Sequence, residues 1–149
     1  MKIANSIKGI IIDGTKLLTV QMKGPDGSTY YNLPGGKQRP NELIDEALKR
    51  EVLEETGLVV EPKSLLFILE DFKEETHRIE FMFICKVLGK SDADLSYDDD
   101  QIGTKWLSID NILHEELYPV EMRNVIKQYF LGKNNEIYLG KAEHKEDAI

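Results

Sequence analysis

"GGKQRPNELIDEALKREVLEETGL", residues 35–58, reads as an amphipathic helix whose inward stripe turns acidic over its last turn and a half. Pro40 and Asn41 supply a stop and an N-cap, Gly57 supplies a C-terminal stop, and Ile44, Ala47 and Leu48 recur at helical spacing. The pattern predicts a helix from about Asn41 to Glu55. At about 100° per residue, Glu51 projects between Ala47 and Leu48, with Glu54 and Glu55 flanking it. Residues three and four apart are neighbours on a helix, so the three carboxylates fall within about one turn of each other. They repel one another, and the helix dipole disfavours anions at this end. Something positive is therefore expected among them, and oxygen-only donors clustered this way suit a hard divalent cation, Mg²⁺ or Mn²⁺.

An acidic run ordinarily marks a solvated helix end, here with Lys37, Lys49 and Arg50 as ion-pair partners. The wider spacing decides against that reading. Gly36 is followed by five residues, Glu42, seven residues, and then Arg50-Glu51-Val52-Leu53-Glu54-Glu55-Thr56-Gly57-Leu58. This resembles the Nudix box: G, five residues, E, seven residues, R-E-aliphatic-x-E-E-x-G-aliphatic. Every fixed position is met. With a given residue type expected at roughly one position in fifteen, the seven identities arise by chance about once in a hundred million starting points.

The resemblance implies an α/β (α+β) sandwich with a mixed sheet between helices, the box forming a loop-helix-loop on one side. It also implies roles for individual residues. Glu54 and Glu55 match the principal metal ligands, and Glu51 matches a further ligand or the group that orients or deprotonates water. The carbonyl just before the box glycine, here that of Gly35, joins the ligand set. Glu42, at the start of the helix, matches a carboxylate with an indirect or structural role. Arg50 projects off the acidic face, from where a guanidinium can hold a glutamate in place. Thr56, Gly57 and Leu58 end the helix and pack.

The reaction class follows from charge. Attack by water on a pyrophosphate linkage needs cations to neutralise phosphoryl oxygens and to acidify the water. With 19 Lys and Arg against 27 Asp and Glu, the chain has a formal charge of −8, which offers no general attraction for nucleic acid or an anionic membrane. A nucleotide-type substrate would be captured locally, by cation and a few bases. Lys37 and Arg39, beside the box, and Arg78, on a later strand, are the candidates, although each taken singly more often serves in a surface ion pair. Tyr30 and Tyr31, just before the phosphate end of the site, can stack on a base, although aromatic residues beside a sheet are more often core.

Outside the box the pattern predicts strands at "SIKGIIID" and "KLLTVQMK" joined at Asp13-Gly14-Thr15, a short strand at "TYYNL", and strands at "SLLFILEDF", "RIEFMFICKVL" and "KWLSI". "RIEFMFICKVL" is almost continuously apolar, which predicts burial on both faces and makes Cys85 a core thiol. Asp110 can cap a short helix through Glu116, Pro119 can open a helix to about Phe130, and "EIYL" adds a last strand. One Nudix-type domain is expected over residues 1–140, with a polar tail at 141–149. No apolar run approaches the roughly 18 residues of a membrane span, and the apolar stretch in "MKIANSIKGIIIDG" is too short for a signal peptide. A single cysteine forms no internal disulfide and fits a reducing, cytoplasmic setting. A monomer or homodimer is expected.

"LSYDDDQIGTKW" carries Asp98, Asp99 and Asp100 ahead of Trp106, where many Nudix members place another acidic ligand some six residues before a strand Trp. Asp100 fits that offset best. An EF-hand reading of the same acids fails, because Tyr97 stands where glycine is required and Gly103 where the last acid is required. His77 heads an apolar strand, and a structural hydrogen bond outweighs a role as base. The downstream proline of ADP-ribose hydrolases and the tyrosine of diadenosine polyphosphate hydrolases are both missing from "DFKEET", so the implied substrate is a nucleoside diphosphate linked to an unspecified group. The rival reading is a non-catalytic Nudix-like nucleotide sensor. It should have lost box acids or gained a DNA-binding domain, and the chain shows neither change.

Overall fold

A computed structural model describes residues 1–142; most of the expected tail, 143–149, lies outside the described residues. The first sheet runs β5 (Gly35–Lys37), β1 (Lys2–Ile10), β7 (Thr76–Lys90), β6 (Leu58–Lys73), β9 (Tyr138–Lys141). It is mixed: β1 is parallel to β7 and β6 to β9, while the other pairs are antiparallel. In the second sheet β3 (Lys16–Lys23) is flanked along one side by β8 (Gln101–Ser108) and along the other by β2 (Ile12–Asp13) and β4 (Thr29–Asn32).

Two apolar clusters explain the layering. On one face of the first sheet, Ala47, Leu48 and Val52 of α1 (Ile44–Thr56) pack on Ile7, Ile11 and Val60, with Phe81, Phe83 and Cys85 against them. On the other face, Phe67, Leu69 and Met82 meet Leu17 and Leu107 of the second sheet and Met122, Val125 and Ile126 of α2 (Glu121–Phe130). The sheets thus lie between two helices, an α+β sandwich. β7 is covered on both faces over Phe81–Ile84, as its composition demands, whereas Lys86–Lys90 is exposed. Cys85 is half-buried, and burial pushes its thiol up to about 12. No helix among the described residues is long and apolar enough to cross a membrane.

Several elements depart from the sequence pattern. α1 starts at Ile44 rather than Asn41, because Asn41 adopts a φ of 65° in the turn before it. Glu46 accepts the Leu43 N–H at 2.8 Å and so closes the first turn. Glu42 consequently lies in the entry turn, not on the helix. Gly57 ends α1 as expected, with a φ of 77° and its N–H donated to the Leu53 carbonyl. β6 begins six residues before "SLLFILEDF" and passes through Pro62, whose missing N–H falls at one of three register shifts. The helix expected from Asp110 is a 3-10 turn over Ile109–His114, and α2 starts two residues after Pro119. At the C-terminal end, Lys141 still belongs to β9, and Ala142 is buried with its N–H donated to the Glu70 carbonyl at 2.7 Å. Order therefore runs past the expected start of the tail.

Candidate active site

β5 and the last turns of α1 form one wall of the site. The pairs Ile7↔Gly36 and Lys8↔Gly35 carry the two glycines beneath the helix. A Cβ on Gly36 would stand 2.4 Å from Cδ of Glu51, so only glycine lets that carboxylate lie where it does. Gly35 has a φ of +143°, and a Cβ there would lie 2.0 Å from the Ile7 carbonyl oxygen. The Gly35 N–H donates to Oε1 of Glu55 at 2.7 Å, and the Gln101 Nε2 donates to Oε2 of the same residue. Glu55 is only 2% exposed. Burial pushes its carboxyl up to about 7, against the opposing influence of the Lys8 charge, the Gly35 N–H and the Gln101 amide.

Arg50 leaves the acidic face sideways and ties three segments together. Its Nε and Nη2 donate to the two oxygens of Glu42 at 2.7 and 3.0 Å, a bidentate pair. Nη1 donates to Oε1 of Glu51 at 2.8 Å, and Nη2 also donates to the Lys37 carbonyl at 3.1 Å. Oε2 of Glu54 stands 3.7 Å from Nη1. The Arg50 guanidinium, with the Arg39 N–H at 2.9 Å, holds the Glu42 carboxyl down to about 2.

The three helix carboxylates do not converge. Among the described residues no three acidic, histidine or cysteine side chains stand close enough to clasp one ion. The like charges within one turn are met by positive or N–H partners: Glu51 and Glu54 share Arg50, and Glu55 is held by Gly35 with Gln101. The donor chemistry nevertheless fits a hard divalent cation. Three carboxylates stand within a turn of helix, and the Gly35 carbonyl beside them has the Lys8 ammonium 3.5 Å away.

Both sheets line a cleft of about 530 Å³. Of the residues expected from the sequence, Gly35, Lys37, Arg39, Glu51, Arg78 and Asp100 stand on it. Arg78 is held by the buried Asp71 through Nε at 2.9 Å and through Nη2. Asp100 is exposed, with a φ of 70°. Tyr31 is not on the cleft. It is turned into the core, its hydroxyl accepting from Lys105 at 3.3 Å, and Tyr30 lines the cleft instead. Neighbouring residues in a strand face opposite ways, and composition does not say which of two adjacent tyrosines faces in. His77 is absent from the cleft and bonds Glu70 at 2.8 Å. Several residues on the site were not singled out from the sequence, among them Lys8, the buried Glu80 and Gln101. The available signal was strand parity, since Ser6 and Lys8 on β1 share a face with Arg78, Glu80 and Met82 on β7.

The family model of the NUDIX domain matches residues 4–129, which take in the second sheet, α1, nearly all of α2 and the first sheet apart from β9 and the start of β1. The chain belongs to the NUDIX family. As a Nudix hydrolase it is an enzyme of the pyrophosphohydrolase class, with its box on the wall just described. An ADP-ribose pyrophosphatase of Methanocaldococcus jannaschii is 31% identical over 133 residues, covering 88% of this chain and 75% of that protein. The human 8-oxo-dGDP phosphatase NUDT18 is 43% identical over 73 residues, 49% of this chain; the chain spans only 21% of that relative's length. Among solved structures, a NUDIX hydrolase from Nitrosomonas europaea superposes with a TM-score of 0.72 at 28% identity, covering 88% of this Nudix chain and 90% of the other.

Proposed function

We propose that this Nudix hydrolase cleaves, with Mg²⁺ or Mn²⁺, the pyrophosphate bond of a nucleoside diphosphate linked to another group and releases a nucleoside monophosphate. The observation that carries the reading is the wall itself: Glu51, seated on Gly36 and held by Arg50, faces a cleft that also presents Lys8, Lys37, Arg39 and Arg78. An acidic protein thereby gathers cationic side chains where a pyrophosphate has to lie.

Glu51, Glu54, Glu55 and the Gly35 carbonyl would hold the cation. When bound, such a cation would neutralise phosphoryl oxygens and lower the pKa of water. The chain's own residues do the rest. Lys8, Lys37 and Arg39 bind and orient the phosphates near the box, while Arg78, fixed by Asp71, reaches the far part of the substrate. Glu51 takes the proton of the attacking water, and Arg50 aims its carboxylate through the Nη1 hydrogen bond. Met22, Met82 and Met122, with Tyr30 and Tyr118, give the cleft an apolar part suited to a nucleobase. The two curated relatives act, by their names, on ADP-ribose and on an oxidised deoxyguanosine diphosphate; both are nucleoside diphosphate compounds, in accord with the proposed class.

The test is incubation with Mg²⁺ and a panel comprising nucleoside triphosphates, nucleotide sugars, ADP-ribose and 8-oxo-dGDP, with the products resolved by chromatography. Release of a nucleoside monophosphate from at least one member is expected. No hydrolysis of any of them, by protein that binds Mn²⁺ and nucleotide, would instead favour the sensor reading.

A further inference from the structure

The loop after β7 is docked onto the end of α1 by its own backbone. Ser91 N–H donates to the Gly57 carbonyl and Ser96 N–H to the Glu54 carbonyl, each at 2.7 Å, which caps carbonyls that a helix end leaves open. The chain then turns through Asp98–Asp100 and enters β8 at Gln101, opposite a register shift at Gln21/Met22. Asp100, the loop acid favoured by its offset from Trp106, spends its backbone carbonyl on the Lys23 N–H at 2.9 Å, and the residue is exposed. The next side chain reaches inward. Oε1 of Gln101 accepts the Asp98 N–H at 2.8 Å, and its Nε2 donates to Oε2 of Glu55. The backbone donor on one side and the carboxylate on the other fix which way the amide faces, so the orientation is not interchangeable.

Glu55 is thereby held at both oxygens by two separate segments. Oε1 is taken by Gly35, whose carbonyl belongs to the proposed ligand set, and Oε2 by Gln101, which belongs to the acidic loop. In a side chain this buried, the two donors decide the plane of the carboxylate and the lone pairs it presents.

Resting on the hydrolase reading above, we propose that Gln101 is the positioning residue of the site: its neutral amide, rather than an acidic loop ligand at Asp100, is the loop's contribution, and it sets the orientation of Glu55 beside Gly35. Two consequences distinguish this from a merely structural bond. Removing the amide loosens Glu55 as a ligand and slows the reaction without weakening nucleotide binding. Replacing the amide by a carboxylate places a fourth acid where a cation can use it.

The experiment is a Mn²⁺ titration of the full chain, followed by the loss of the free-ion electron paramagnetic resonance signal, on wild type, Q101L, Q101E and D100N. It is paired with kcat and KM for whichever nucleotide the panel identifies. Q101L should weaken Mn²⁺ binding at least about tenfold, and by more than D100N does, and lower kcat about ten- to a hundredfold with KM moving less than about threefold. Q101E should bind Mn²⁺ more tightly than wild type. Q101L within about twofold of wild type in Mn²⁺ affinity, or D100N losing more than Q101L, overturns the proposal. Should Q101L fail to fold, Q101E decides: tighter Mn²⁺ binding supports it and unchanged binding overturns it. A wild-type chain that binds no Mn²⁺ removes the hydrolase reading itself, and this inference with it.

Discussion

The carboxylate of Glu51 rests against the Cα of Gly36, where even a methyl group would stand 2.4 Å from its Cδ and 2.6 Å from one of its oxygens. The same glycine faces Ile7 across β1. Backbone packing on one side and the Glu51 carboxylate on the other meet at one residue that has no room for a side chain.

Gly36→Ala should therefore act on chemistry more than on the fold. Glu51 is a flexible side chain and can yield, but only by leaving Arg50 and its place on the cleft wall. Turnover should fall by about a hundredfold or more, as expected when a reacting group is misplaced by about 1 Å. Gly35→Ala is the contrast, because its added Cβ meets the Ile7 backbone and its φ of +143° is strained for alanine. That variant should lose thermal stability as well as rate. Thermal unfolding and single-turnover hydrolysis on both proteins check the pair; equal stability losses would refute the distinction.

Glu42 touches neither the cleft nor the other acids, yet it accepts two hydrogen bonds from Arg50, which in turn holds Glu51. Glu42→Gln keeps the shape and weakens that grip, and should lower kcat by about ten- to a hundredfold with KM little changed. Arg50→Lys should not be tolerated as a conservative change, since an ammonium cannot engage Glu42 bidentately and still reach Glu51. Steady-state kinetics on the two variants test this, and an Arg50→Lys enzyme with wild-type kcat would show that the fork is dispensable.

The box was legible because its meaning lies in spacing along one helix, where three carboxylates on one face conflict with local stability. What escaped was set by pairing between distant segments. β5 is mostly glycine and has no strand propensity of its own; only its register with β1 makes it a strand. Lys8 reads as a solvent-facing residue between Ile7 and Ile10 until the β1–β5 pairing sets it beside Gly35. Tyr31 and Tyr30 differ only in strand parity. Asp100 stands on the cleft as its offset suggests, but nothing in composition signals that the neutral Gln101 beside it, entering β8 at a register shift, bonds Glu55. Helix entry departs from the residue pattern because Asn41, a good N-cap by type, is held in a left-handed turn, and Glu42 after it pairs with Arg50.

The burial of Glu55 sets a pH dependence in cation-free protein. Its folded pKa, about 7, lies above the usual carboxylate value of 4.5. The folded state thus keeps a proton that the unfolded chain has released, and stability falls as pH rises from about 4.5 to about 7, by up to about 3 kcal/mol. Glu55→Gln should abolish that contribution, so its stability advantage over wild type in EDTA should grow across the window. Denaturant unfolding at pH 5 and pH 8 measures it. A difference between the two proteins that stays constant with pH would mean that Glu55 carries no such burden.

The final prediction concerns what a cation adds. Glu54 is 38% exposed and 3.7 Å from Arg50, an interaction worth little at a solvated helix end. An ion bound to the folded state alone stabilises it by mass action, about 2.7 kcal/mol at a hundred times its dissociation constant. For a chain of this size that is a rise in Tm of about 5–10 °C. Mg²⁺ at saturating concentration should therefore raise the Tm of wild type over the EDTA value. Glu54→Gln should leave the EDTA value within about 2 °C, because little is lost with Arg50, and should cut the Mg²⁺-induced rise by at least about half. Equal rises in the two proteins would exclude Glu54 from the ligand set. A rise that survives in Glu54→Gln but vanishes in Glu55→Gln would place the ion on the buried side of the helix, next to Gly35 and Gln101.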